Sequence, residues 1–171
     1  MAIFISLSLA LISNTILVQP AFADRYVTYE DTVNVKKEVL EKTLTDPNDY
    51  PKVFPEYIKS VQVIDTQKHL AKMKVMFPFP SEWQIKYNTL SDGNYVIEVI
   101  SGDLKGTKMT TALKKIPGFD GTPNGGTNVR MVLVLQLPWY YSMFVSDDSI
   151  RSGLDFGLYK FENYAKTKRS A

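Results

Sequence analysis

The sequence of 171 residues contains no cysteine and one histidine, His69. Without cysteine the chain has no disulfides, no thiolate metal ligands and no thiol nucleophile, so its stability must come from buried side chains. One histidine is too few for an ordinary zinc site, and we expect neither a metal nor a cofactor. His69 follows Lys68 at the start of a predicted strand, which favours a structural or solvated role over general-base catalysis.

The chain also has no large excess of positive or negative side chains. The chain has 20 Lys and Arg against 18 Asp and Glu, which gives a formal net charge of +2. A nucleic-acid-binding domain usually shows a basic stripe and a high pI, whereas the only basic run here is the short tail Lys166–Arg169. We therefore expect no nucleic-acid partner, and we interpret the tail as a solvated helix end.

No charged side chain precedes Asp24. The run Ile3–Val18 is almost wholly apolar and is followed by Pro20–Ala23, a proline with a small-x-small site. This order predicts a secretory signal peptide over residues 1–23 with cleavage just before Asp24. An uncleaved anchor is the open alternative, because the run approaches the ~17–25 apolar residues that span a bilayer. We then expect residues 24–171 to be secreted or held at the outer face of the cytoplasmic membrane.

The middle of the chain alternates between apolar and polar residues in short segments separated by turn signals, which predicts antiparallel strands. The predicted strands are Val27–Val35, Ile58–Asp65, His69–Phe77, Ser81–Leu90, Tyr95–Ile100, Gly102–Lys115 and a last one through Val129–Leu135. Between the first two, Lys36–Thr45 predicts a short helix. Asp46 and Pro47 then begin a second short helix, with an N-cap acceptor followed by proline, that ends near Phe54.

The end of the chain changes to a period of about 3.6 residues, which predicts a long amphipathic helix. Its apolar stripe consists of Ile150, Leu154, Leu158, Phe161 and Ala165. Ser146 supplies a cap, and we interpret Asp147 and Asp148 as first-turn carboxylates rather than as a metal pair.

Gly153 and Gly157 interrupt this predicted helix, at a cost of roughly 1 kcal/mol each in helix propensity. We therefore expect them where a larger side chain would strike the sheet or occupy a cavity. One helix cannot fill the concave face of a long curved sheet, and this mismatch predicts an apolar pocket.

Several local motifs resemble those of the START-like (SRPBCC) superfamily, in its polyketide cyclase/dehydrase and coenzyme Q-binding branch. They are Asp46–Pro55 followed by Ile58–Val61, Gly126-Thr127 before an apolar strand, and Ile150–Leu154 at the start of the last helix. The resemblance covers nearly all of the chain after Tyr26. It implies the α+β helix-grip fold: a curved antiparallel sheet of about seven strands around a long C-terminal helix, with two short helices after the first strand. Residues 24–171 would then form one START-like ligand-binding domain.

The same resemblance implies an apolar ligand, such as an isoprenoid quinone, a lipid or a polyketide-like molecule. The inward faces of the predicted strands and the helix stripe supply the candidate cavity residues. These are Tyr29, Val33, Met73, Val75, Phe77, Trp83, Ile85, Tyr87, Ile97, Met109, Met131, Leu133, Leu154 and Leu158.

Two aromatic segments fall at turns, where burial is difficult: Phe77–Pro80 and Pro138–Phe144. Exposed apolar groups at such positions usually mark a contact surface. We therefore expect Phe79, Trp139, Tyr140 and Phe144 to form the cavity rim or a peripheral membrane contact.

The sequence offers no coupled set of acid, base and nucleophile, and we assign no catalytic residue. Our leading hypothesis is a carrier of an apolar ligand. The alternative is an aromatase/cyclase-type enzyme, which requires Asp31, Glu98 or Tyr87 to point into the cavity near another polar group. A module that docks its aromatic loop on a membrane protein is a third possibility.

Overall fold

The computed structural model describes residues 22–76, 80–118 and 125–169. The described elements, in chain order, are β1 (Phe22–Val33), α1 (Lys37–Thr45), a 3₁₀ turn (Pro47–Asp49), α2 (Tyr50–Val53), β2 (Ile58–Asp65), β3 (Leu70–Val75), β4 (Ser81–Thr89), β5 (Tyr95–Ser101), β6 (Lys108–Ile116), β7 (Gly126–Pro138), α3 (Trp139–Ser142) and α4 (Asp147–Arg169).

The strands form one antiparallel sheet of seven strands in the order β1-β7-β6-β5-β4-β3-β2. The first strand pairs with the last along its whole length, from Phe22 opposite Pro138 to Val33 opposite Thr127. Helix α4 packs against β1, α1 and α2. The predicted helix-grip α+β fold, with a curved sheet and a long C-terminal helix, is confirmed.

The apolar stripe of α4 lies where its period predicts. Ile150, Leu158, Phe161 and Ala165 are buried. The Phe161 ring makes edge-to-face contacts with two rings of the α2 region, at centroid distances of 5.8 Å to Tyr50 and 5.2 Å to Phe54. These contacts fix the α2 region against α4.

Most strand ends lie within one or two residues of the prediction, but the starts of β1 and β6 differ from it by five and six residues. Strand β1 begins at Phe22 rather than at Val27, because its pairing with β7 continues through the intervening residues. Strand β6 begins at Lys108 rather than at Gly102, because Gly102 and Gly106 take positive φ values of 100° and 94° in a turn.

The predicted signal peptide falls mostly on residues 1–21, which lie outside the described residues. Phe22 and Ala23, at its predicted end, pair with β7. Of the described helices, none has the length and hydropathy needed to cross a membrane.

The sequence indicated that the basic tail is a solvated helix end, but one of its lysines is bound to the rest of the protein. Lys168 donates to the carboxylate of Asp49, a residue that is 2% exposed. The end of α4 is therefore fixed to the 3₁₀ turn that precedes α2.

Candidate ligand cavity

A cavity of about 210 Å³ lies between the sheet and helices α1, α2 and α4. The described residues that line it are Leu44, Tyr50, Phe54, Ile58, Met73, Ile85, Tyr95, Ile97, Met109, Thr111, Met131, Gly153, Leu154, Gly157, Leu158 and Phe161. This lining is aliphatic, thioether and aromatic apart from the hydroxyl groups of Tyr50, Tyr95 and Thr111. Among the described residues, the wall therefore favours an apolar occupant.

The two helix glycines border this cavity on α4. A Cβ atom added to Gly153 would meet nothing within 4 Å, and one added to Gly157 would lie 3.9 Å from Cζ of Phe54. A Cβ atom at either position would therefore not strike the sheet, and at Gly157 it would point toward Phe54 in the cavity wall. Gly153 is also exposed to solvent, so the cavity wall reaches the protein surface at this residue, which we take as the entrance.

Half of the candidate cavity residues lie in this wall. They are Met73, Ile85, Ile97, Met109, Met131, Leu154 and Leu158. Alternation along the strands brings their side chains to the face that α4 covers. Contact of these side chains with a ligand stays a prediction.

The remaining candidates among the described residues share the inward face but lie outside the wall of the cavity. Tyr29, Val75, Trp83 and Tyr87 pack against the core, and Leu133 is half-buried in β7. The reason is position along each strand, since the cavity occupies only part of the sheet. Val33 lies in the core too, and it borders a separate groove between β1 and α4. Phe77 lies outside the described residues.

Several lining residues were not among the candidates, above all Tyr50 and Tyr95. Tyr50 belongs to the motif Asp46–Pro55, whose resemblance was the one available signal. Tyr50 donates a hydrogen bond of 2.8 Å to the carbonyl oxygen of Leu44, and its hydroxyl lies 3.0 Å from that of Tyr95. Burial, more than any other cause, raises the pKa of both phenols well above the usual value, so both stay protonated at neutral pH.

The acids that a cyclase would need do not face the cavity. Glu98 follows Ile97 on β5, and the alternation of the strand turns it to the outer face, where it lies opposite Lys86 and Lys108. Asp31 is exposed in the groove between β1 and α4.

Tyr87, the third residue that the cyclase alternative would need in the cavity, packs against the core and makes an edge-to-face contact with His69 at 5.7 Å. Burial, followed by the charge of Asp46, raises the pKa of Tyr87. His69 itself is exposed with a φ of 53°, in the turn before β3. This contact fits the structural role predicted for His69.

The predicted rim is described in part. Trp139 and Tyr140 belong to the short helix α3, and Phe79 lies outside the described residues. Met143 and Phe144, between α3 and α4, are 67% and 81% exposed. Helix α4 begins at Asp147, so only about 9 Å of helix separates its start from Gly153 at the entrance.

No protein-family model matches the sequence, and no curated protein matches it significantly. The fold is similar to that of a START superfamily protein from Mycobacterium smegmatis, with a TM-score of 0.65 and 12% identity over 83% of this chain and 97% of that one. It is also similar to the Zhui aromatase/cyclase from a Streptomyces species, with a TM-score of 0.68 and 10% identity over 84% and 94% of the two chains. The START-like fold inferred from the motifs is thereby confirmed, while the coenzyme Q-binding branch stays a prediction.

Proposed function

We propose that this chain binds an apolar small molecule in the cavity beneath α4 and carries it without transforming it. The observation that carries this proposal is the lining of the cavity. Its described wall has three hydroxyl groups and otherwise apolar side chains, and two glycines keep space open on the covering helix. Glycine inside a helix costs roughly 1 kcal/mol, a cost that an open ligand space would explain.

The volume of the cavity limits what enters it. An apolar protein cavity of about 150 Å³ holds benzene, so this cavity of about 210 Å³ holds roughly eight non-hydrogen atoms. A single ring or the end of a chain fits. The longer part of an isoprenoid quinone or a lipid would extend past Gly153 at the entrance.

We place this carrier outside the cytoplasm, at the outer face of the cytoplasmic membrane or secreted from it. The apolar N-terminal run and the site before Asp24 support export. Exposed Met143 and Phe144, close to the start of α4, support a peripheral contact through which an apolar ligand passes between the membrane and the cavity.

Mass spectrometry of solvent extracts from purified protein tests the proposal. The wild type should release an apolar molecule. Gly157→Leu, whose side chain would fill the cavity, should release much less. Ser152→Leu places the same side chain on an exposed position of α4 and should match the wild type. Extracts of the wild type that contain no such molecule, or equal amounts from both variants, would contradict the proposal.

A cyclase-type enzyme is the second candidate, favoured by the two tyrosine hydroxyls within the apolar wall. The solved structure of an aromatase/cyclase with the same fold gives this candidate a precedent. Such an enzyme would convert a polyketide-like chain, and Tyr95→Phe would abolish the conversion while binding persists. A carrier would return the chain unchanged.

A further inference from the structure

Thr111 carries a buried hydroxyl group that has no hydrogen-bond partner among the described residues. The other buried threonines of the described chain are satisfied, since Thr43 and Thr127 donate to backbone carbonyls and Thr107 accepts from a backbone N–H. Thr111 is 1% exposed and lines the cavity. A buried, unpaired hydroxyl is costly, so its place on the cavity wall points to a partner that a ligand brings.

Tyr95 lies directly opposite Thr111 in the register of β5 and β6. Residues opposite one another in an antiparallel pair project from the same face of the sheet. Both side chains line the cavity. The cavity therefore has a polar position on a wall that is otherwise apolar around it.

The hydrogen bonds of the tyrosine pair determine what Tyr95 can offer. Each phenol has one proton, and Tyr50 uses its proton on the carbonyl oxygen of Leu44. The bond between the two phenols is therefore donated by Tyr95. The oxygen of Tyr95 can only accept from a ligand, whereas the hydroxyl of Thr111 can donate and accept.

We propose that Thr111 and Tyr95 form a polar subsite that selects an apolar ligand with a hydroxyl group, such as an alcohol, a phenol or a hydroquinone. This inference rests on the proposed binding of apolar molecules. A ligand hydroxyl offers both the donor that Tyr95 can accept and the acceptor that Thr111 can donate to. An ether or an oxidised quinone accepts from Thr111 alone, and a hydrocarbon satisfies neither residue.

Isothermal titration with 1-octanol, heptyl methyl ether and nonane tests this order, because the three probes have the same number of non-hydrogen atoms. The wild type should bind the alcohol more tightly than the ether, and the ether more tightly than the hydrocarbon. One hydrogen bond to a buried partner corresponds to about a tenfold difference in affinity at each step.

Variants assign the selectivity to the two residues. Thr111→Val should lower the affinity for octanol about tenfold and leave the affinity for nonane unchanged. Thr111→Ser should keep the preference for the alcohol. Tyr95→Phe should make the alcohol and the ether bind equally. Thr110→Val, which alters the neighbouring residue on the opposite face of β6, is the control and should behave as the wild type.

Unliganded protein gives a second readout. Since Thr111→Val removes an unpaired hydroxyl, it should raise the melting temperature by about 2–4 °C. A threonine whose hydroxyl already has a hydrogen-bond partner within the protein would instead lose stability on this change.

Equal affinity of the wild type for octanol and nonane, or a selectivity that Thr111→Val leaves unchanged, would overturn this inference while the binding of apolar molecules stands. Failure of all three probes to bind would overturn both.

Discussion

Lys168, near the end of α4, donates a hydrogen bond to the carboxylate of Asp49, whose side chain is only 3% exposed. The same carboxylate accepts from the Tyr164 hydroxyl at 3.1 Å and from the Lys52 ammonium at 3.2 Å. These partners come from α4 and α2. The carboxylate thus joins the last turns of the covering helix to the segment that forms one wall of the cavity.

We expect Asp49→Asn to destabilise the fold by about 1.5–3 kcal/mol, since it replaces hydrogen bonds between charged groups with weaker neutral ones. Both lysine head groups are partly exposed and can return to water, which keeps the loss moderate. Denaturant unfolding measures it. Asp148→Asn, at an exposed carboxylate paired with Arg151, is the control and should cost much less. Equal losses in the two variants would show that Asp49 has no special role.

The same site predicts a dependence of stability on pH. Burial by itself would raise the pKa of Asp49, but the hydrogen bonds from Lys168, Lys52 and Tyr164 outweigh it and lower the pKa below its usual value. The stabilisation is therefore complete above the unfolded-state pKa of about 3.9 and is lost as the pH falls through the lower folded value.

We accordingly expect the free energy of unfolding of the wild type to fall more steeply below about pH 4 than that of Asp49→Asn. Denaturant titrations at a series of pH values measure both slopes. The lowered pKa of Asp65 contributes equally to the two proteins, so the difference between them isolates Asp49. Parallel slopes would contradict the assignment.

Gly153 should tolerate a methyl group, because a Cβ there meets nothing within 4 Å. Gly153→Ala should stabilise the unliganded protein by about 0.5–1 kcal/mol through helix propensity. Gly102→Ala is the opposite case, since Gly102 has a φ of 100° and a methyl group would collide with the Trp83 ring. It should cost about 2 kcal/mol or more in thermal or denaturant unfolding. Changes of the same sign at both positions would contradict this account.

Much of the fold could be predicted from the sequence, because the alternation along a strand and the period of a helix show which side chains face the core. Strand β2 has the predicted bounds Ile58–Asp65, and the α4 stripe is buried as predicted. Alternation does not show which inward-facing residues lie beside the cavity. Trp83 and Ile85 share the inward face, but only Ile85 lines the cavity. The start of β1 at Phe22 depends on pairing with β7, which the local sequence of β1 does not show.

The polar parts of the molecule were the least predictable. Nothing in the sequence distinguishes buried Asp49 from the exposed Asp148, because its partners Tyr164 and Lys168 are more than a hundred residues away. The same holds for Thr111, whose neighbours in the sheet and whose missing partner depend on the tertiary structure.

Met143 and Phe144 should contribute to contact with a membrane rather than to stability, because both are exposed. Their joint replacement by serine should change the free energy of unfolding by less than about 0.5 kcal/mol per site. Burial of one large apolar side chain is worth about 1.5–3 kcal/mol, so affinity for lipid vesicles should fall at least about tenfold.

Vesicle sedimentation measures this affinity. Leu90→Ser, at an exposed residue in the β4–β5 turn, is the matched control and should bind vesicles as the wild type does. Unchanged vesicle binding in the Met143 and Phe144 variant, or a large loss of its stability, would contradict a membrane-facing entrance.

The melting temperature of the wild type and of Gly157→Leu, measured with an apolar ligand identified in the extracts, tests the central claim most directly. A ligand at a hundred times its dissociation constant should stabilise the wild type by about 2.7 kcal/mol. It should leave Gly157→Leu nearly unchanged, because a leucine side chain there occupies the cavity. An unchanged wild type, or equal stabilisation of both proteins, would show that the space beneath α4 is not a ligand site.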